Sequence, residues 1–434
     1  MQQRIRKVTL IGMLIVGLFF TSCKNTKAPE PKFTLTPSET FYFNSFVDCN
    51  MAEAWIGDTF RIFPGKYGED PVWGYSNELE YADGRNADET FLRKMDEFTD
   101  PVMPPNVPPG SKGLHGAVWF ETVYQHPGDA SGKTLYALYH NENYPKTLPY
   151  DPATGEGYID SRWPEGLTGP QSPAAVCRIG IMKSVDGGRS WENKGIVLED
   201  LQPRMILLPF NTSKTFAGGV GDPSAIANGD YLYIFYGEYG YPGTFDSASY
   251  DAKTEWGGQC ISIARIPLAD LDNPVGKVKR WDGKNFAAPH NGIGQPVASL
   301  QIPQQEGGGA ASSPGGGFHW GPSVSWNTHL KQWVMLMGHV TGQSWKGSKI
   351  FISFNPNADL SKGDNAQQWT QPRLLLDKPG HIIWYPSLQP MNDPVDIAEK
   401  YTCLRLGQQA RLFYKDMTPD TAVYVSEYTI RFDR

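Results

Sequence analysis

Three stretches of the chain share one order of residue types: Gly221-Asp222-Pro223-Ser224-Ala225-Ile226, Gly321-Pro322-Ser323-Val324-Ser325-Trp326 and Tyr385-Pro386-Ser387-Leu388. In each, a Pro-Ser pair opens a short apolar run. A second run rich in aromatic or β-branched residues follows: Tyr231–Tyr236, Trp333–Met337 and Arg411–Tyr414. Two of these units add a third alternating run, Cys260–Arg265 and Ile350–Ser353, and the same order appears earlier in Ala117–Tyr124, Leu135–Tyr139 and Arg178–Met182. Runs of this length and composition, separated by turns, are strands. No window in this region carries a helical 3.6-residue pattern. A repeated small meander buries its faces only against its neighbours, so the expected fold is all-β, a five-bladed β-propeller. Its units are expected at residues 40–110, 111–205, 206–300, 301–378 and 379–434, forming one domain over 40–434. A β-sandwich with insertions is the competing arrangement.

The first 22 residues read as an export signal. Arg4, Arg6 and Lys7 precede an apolar stretch from Val8 to Phe20 that is too short to span a bilayer comfortably. Phe20-Thr21-Ser22-Cys23 resembles the lipobox of bacterial lipoproteins, in which the cysteine is lipidated. The competing reading is an ordinary signal peptide with a chance cysteine. The lipobox reading implies a cell-envelope protein, periplasmic or surface-exposed and membrane-anchored through Cys23. Residues 23–39, polar and proline-bearing, are expected to be its tether.

The formal charge of −7 excludes a general nucleic-acid binder, and loss of the basic leader makes the balance more negative still. Cys49, Cys177, Cys260 and Cys403 lie far apart without ligand spacing, which leaves disulfides or buried thiols and argues against zinc. There is no G-x-S-x-G elbow, HExxH pair or phosphate-binding GxxxxGK[ST] sequence. Nothing requires a cofactor or metal, although a carbonyl- and carboxylate-lined funnel can hold a structural calcium or sodium ion.

Ser184-Val185-Asp186-Gly187-Gly188-Arg189-Ser190-Trp191 matches the Asp box of sialidases and other propeller proteins. Its aspartate is expected to accept bonds from turn amides, a structural role. The Asp222-Pro223-Ser224 element, preceded by glycines, resembles the corresponding segment of five-bladed glycoside hydrolases of families 43 and 117. That resemblance covers the propeller body. It implies that the innermost strand of each blade lines a funnel into which its entry residue points. In the fourth blade, Phe318-His319-Trp320-Gly321-Pro322 lacks the glutamate family 43 usually carries before Gly-Pro. Family 117, where a histidine can serve as proton donor, implies that role for His319.

Positional logic gives the catalytic candidates Asp222, Glu121, His319 and Asp58. His140, Glu142, Arg178, Trp320, Trp384 and Tyr385 are the expected substrate-binding residues. Acetal cleavage needs one group to protonate the departing oxygen and another to attack or activate water. Tryptophans suit the apolar faces of sugar rings. Residues 304–317, QQEGGGAASSPGGG, are expected to form a loop beside the funnel. The resemblance therefore implies an exported glycoside hydrolase acting on a polysaccharide or oligosaccharide. A polysaccharide lyase on the same scaffold, using His140 or His319 with a tyrosine, and a non-catalytic glycan-binding lipoprotein are the alternatives.

Overall fold

The computed structural model describes residues 30–43, 47–64, 66–69, 76–77, 81–91, 116–143, 176–199, 219–238, 260–292, 294–302, 318–341, 346–418 and 423–434. They form five sheets, the blades of a β-propeller. Strand β1 (Lys32–Phe43) comes first in sequence but belongs to the last blade. Blade one is β2 (Ala52–Ile56), β3 (Thr59–Phe63) and, after the β4 (Lys66–Glu69) and β5 (Ser76–Asn77) hairpin, β6 (Ala82–Gly84), followed by helix α1 (Ala87–Phe91). The hairpin joins blade two, whose own strands are β7 (Gly116–Gln125), β8 (Leu135–Asn143), β9 (Val176–Ser184) and β10 (Glu192–Leu198). Blade three comprises β11 (Val220–Asn228), β12 (Tyr231–Glu238), β13 (Cys260–Pro267), β14 (Lys279–Trp281) and β15 (Phe286–Pro289). Blade four comprises β16 (Phe318–Asn327), β17 (Gln332–Thr341), β18 (Lys346–Asn355) and β19 (Arg373–Asp377). Blade five starts with β20 (Ile383–Pro390). Helix α2 (Pro394–Ala398) and β21 (Arg405–Leu406) intervene, the latter parallel to β16, before β22 (Gln409–Asp416) and β23 (Val423–Asp433).

Two boundaries differ from expectation. Residues 32–39, expected as tether, begin β1, which pairs antiparallel with β23 from Lys32↔Asp433 to Phe43↔Tyr424. The first residues of the domain thus complete its last blade and close the ring. The expected first unit also gives up β4 and β5 to the second sheet. Residues 1–29, including Cys23, and the 304–317 stretch lie outside the described residues.

The Pro-Ser repeat has a backbone cause. The ladder slips between Gly221 and Ser224 in β11, Trp320 and Ser323 in β16, and Trp384 and Ser387 in β20, with a fourth shift around Glu121 in β7. At each bulge preceding a proline the backbone turns through positive φ: 47° at Asp222, 60° at Gly321 and 50° at Tyr385. Such a bulge bends the strand and re-aims one side chain. Proline has no N–H to leave unpaired there. The following hydroxyl joins neighbouring blades: Val324 N donates to Ser224 Oγ at 2.9 Å, and Ala225 N to Thr122 Oγ1 at 3.2 Å. Between the blades, buried apolar side chains such as Ile179, Ile234 and Leu232 form the core.

Candidate functional site

The re-aimed residues meet. Glu121 Oε2 accepts the backbone N–H of Asn50, just before β2, at 2.8 Å, and Asn50 Nδ2 reaches Pro322 O of blade four at 3.4 Å. Asp222 Oδ2 accepts the indole N–H of Trp320 at 2.7 Å, and Oδ1 accepts the Tyr385 hydroxyl at 3.4 Å. All five blades therefore contribute to one constellation. His140, on β8, takes the backbone N–H of Asp222 on its Nδ1 at 3.1 Å. That nitrogen also lies 3.3 Å from Asp222 Oδ1. With its lone pair already engaged by the amide, Nδ1 of a neutral ring gives the carboxylate no proton, and the ring proton sits on Nε2.

Glu121 and Asp222 are 2% and 1% exposed, and one ligating atom from each of Glu121, His140 and Asp222 lies within 4.8 Å of the others. Burial drives the Glu121 carboxyl well above the usual carboxylate range, and the negative charge of Asp222 pushes it further; the Asn50 amide only partly opposes this. Glu121 Oε1 has no hydrogen-bond partner among the described residues. The same trio has the residue types to ligate a cation, and a carboxyl whose pKa is raised makes such binding compete with protonation.

A third carboxylate, Asp48, adds to the charge felt by Glu121. It is 27% exposed and held by Lys415 Nζ at 2.7 Å. Lys415 also lies 5.7 Å from the centroid of the Trp384 ring. Trp384, half-buried, meets Trp320 and Tyr385 at centroid distances of 5.9 and 6.4 Å.

The structure brings together Asp222, Glu121, His140, Trp320, Trp384 and Tyr385. It places Asp58 elsewhere: on the β2–β3 turn, with its side chain fully exposed and 3.5 Å from Lys400 Nζ. His319 is also corrected. Its Nδ1–H donates to Leu300 O at 2.6 Å and its ring packs on Phe351 and His339, while burial lowers its pKa to about 4. A ring that is neutral at pH 7 is not a proton donor of the kind expected. Arg178 donates twice to Asn141 Oδ1, at 3.1 and 2.7 Å, across adjacent strands. Glu142 lies on β8 opposite Ala117 and Cys177, its side chain outside the described set. Cys49, Cys177, Cys260 and Cys403 are buried free thiols.

Asp48, Asn50 and Lys415 escaped the sequence reading. Blade one has no Pro-Ser marker, so the positional rule settled on Asp58 instead of the acid that precedes β2. The signal for Lys415 was a cation closing the apolar run Leu412-Phe413-Tyr414.

No protein-family model matches the chain, and no curated protein matches it. Among solved structures it is similar to an alpha-L-arabinofuranosidase from Lactobacillus brevis, at 11% identity over 90% of this chain and 92% of that one, with a TM-score of 0.48. It is also similar to a GH43 endo-arabinanase from Bacillus licheniformis (11%, 90% and 94%, TM-score 0.42). An alpha-L-arabinanase mutant from Cellvibrio cellulosa is similar at 12% identity, covering 89% and 91%, with a TM-score of 0.43.

Proposed function

We propose that this protein is a glycoside hydrolase in which Glu121 is the general acid, Asp222 the charge that keeps the proton on it, and Asp48 the base that activates water. One observation carries the reading: a buried carboxyl raised above the usual carboxylate range, whose Oε1 has no hydrogen-bond partner among the described residues, beside a second carboxylate within 4.8 Å. Departure of a sugar oxygen requires a proton at the moment of bond cleavage, and a carboxyl raised toward neutrality supplies it. Asp48 suits the base role because it is the accessible acid of the three and Lys415 neutralises its charge. Trp384, the half-buried aromatic of the group, offers its face to a sugar ring.

β-Elimination at a uronate is a second reading, favoured by His140 and Tyr385 flanking Asp222. A panel of neutral and uronate-containing poly- and oligosaccharides tests both. New reducing ends alone support hydrolysis; reducing ends with the absorbance of an unsaturated uronate support elimination. Binding without either signal overturns both and favours a glycan-binding protein.

The basic–apolar leader ending in Cys23 supports an exported, lipid-anchored protein of the cell envelope. Metabolic labelling with a fatty acid, lost in Cys23→Ser, is the expected result; labelling absent from the wild-type chain would contradict it.

A further inference from the structure

Three nitrogen-bearing side chains stand in register across blade four. His319 of β16 pairs with His339 of β17, which pairs in turn with Lys349 of β18. Register partners present their side chains on one face, so the three form a row about two strand spacings long, roughly 10 Å. The row begins one residue from Trp320, whose indole reaches Asp222. Exposure rises along it: His319 is 7% exposed, His339 is partly buried, and the Lys349 side chain is 43% exposed. Phe351, partly buried, packs against both imidazoles, at centroid distances of 5.1 Å from His319 and 5.9 Å from His339.

Much of the polar capacity of the row is uncommitted. His319 gives its Nδ1–H to Leu300 O at 2.6 Å, which leaves Nε2 of the neutral ring as an acceptor. The His339 ring makes no hydrogen bond among the described residues. Lys349 Nζ is 3.9 Å from Asp377 Oδ2, beyond hydrogen-bond reach, and the Ser348 hydroxyl donates to the other oxygen of that carboxylate at 2.8 Å. Burial, and then the charge of Lys349, hold the His339 pKa below its ordinary value. An anion seated between the two groups would offset that repulsion and take an N–H from each. The geometry points to a saccharide subsite along this row that takes a sugar carrying an anionic group. His339 and Lys349 bind the carboxylate or sulfate, His319 Nε2 accepts a neighbouring hydroxyl, and Phe351 supplies the apolar contact to the ring. A neutral sugar leaves the Lys349 charge unmatched, and a bare anion leaves His319 unused. The inference rests on the glycosidase reading for its catalytic meaning and deepens it by naming a charged saccharide as the substrate class.

The test is NMR of the full chain with labelled histidine, the His339 ring signal being assigned by its loss in His339→Gln. D-glucuronate, D-glucose 6-sulfate, D-glucose and inorganic sulfate are added in turn at one ionic strength, because salt screens an exposed lysine. At least one of the charged sugars is expected to move the signal saturably, with an affinity about tenfold or more above that of D-glucose and of inorganic sulfate. Whichever binds tighter tells carboxylate from sulfate. Lys349→Met should weaken that binding about tenfold without changing the melting temperature, and Lys349→Arg, which keeps the charge, should retain it. On a charged saccharide that is cleaved, Lys349→Met should raise KM by the same factor and leave kcat within about twofold. Charged sugars that bind no better than D-glucose, inorganic sulfate that binds equally well (an adventitious ion only), or undiminished binding in Lys349→Met would overturn the inference. Charged-sugar binding at His339 in a protein that cleaves no saccharide would uphold the subsite and sink the hydrolase reading. Cleavage of neutral saccharides with the His339 signal unmoved by any charged sugar would do the reverse.

Discussion

Glu121 of β7 and Asp222 of β11, from adjacent blades and 101 positions apart in sequence, place oxygens within 4.8 Å of each other in the protein interior. Neither strand alone would tolerate its acid, because an isolated buried carboxylate is costly. Together, burial and the charge of Asp222 raise the Glu121 carboxyl above the usual carboxylate range, while Asp222 accepts the Trp320 indole N–H and the Tyr385 hydroxyl. Asp222→Asn should therefore lower turnover by about a hundredfold or more and move the alkaline limb of the pH profile downward. Asparagine tolerates positive φ better than most residues, so the fold should survive. A folded variant with normal turnover would remove Asp222 from the mechanism.

Glu53, on β2 where blades one and five meet, has its pKa raised by burial to about 8, against an ordinary 4.5. The folded state retains a proton that the unfolded chain releases, so stability is full below about pH 4.5 and declines up to about pH 8. The shift corresponds to a loss on the order of 4–5 kcal/mol across that window. Denaturant unfolding at several pH values should show this slope, and Glu53→Gln should flatten it. A slope unchanged in the variant would assign it to another group.

Strand β1 supplies the edge of blade five. Removal of residues 1–29 should leave the melting temperature unchanged, whereas removal of residues 1–43 should abolish cooperative unfolding or lower the midpoint steeply. Equal stability of the two truncations would show that closure does not depend on this strand.

Asp186 accepts the amides of Arg189 and Ser190, both at 3.0 Å, and the hydroxyls of Ser184 and Ser190 at 2.7 and 2.6 Å. Asp186→Ala should cost about 1–3 kcal/mol of stability and leave the kcat of the surviving folded protein near wild type. A specific loss of kcat at full stability would be the opposite result.

The exposed Asp58 provides a control. Asp58→Asn should alter neither melting nor turnover by more than about twofold, since its ion pair with Lys400 lies on the surface.

The blades were legible because their marker has a local cause: a bulge at positive φ and a proline without an amide recur together in β11, β16 and β20, and in β11 the following hydroxyl also bonds the next blade. Asp222 and Tyr385 were found on that basis. Asp48 was not, because blade one meets the channel without that marker, and Lys415 was not, because it projects from the second strand of its blade. His319 was misread since its neighbour Leu300, 19 residues upstream, is the partner that buries it. The closing strand was masked by Pro37, Ser38 and Glu39, although the alternation of Phe33 and Leu35 was a period-two signal. Those two side chains pack on the cluster containing Ile430 and Phe432, a pairing between chain ends that local sequence does not display.

The most direct measurement is the kcat/KM of Glu121→Gln on glycosides of the active sugar with leaving groups of graded acidity. A general acid matters most where the departing oxygen is basic, so the variant should lose about a hundredfold or more on a sugar leaving group and little on an activated phenol, with its alkaline limb abolished. Equal losses across the series, or wild-type rates in a folded variant, would contradict the assignment of the proton to Glu121.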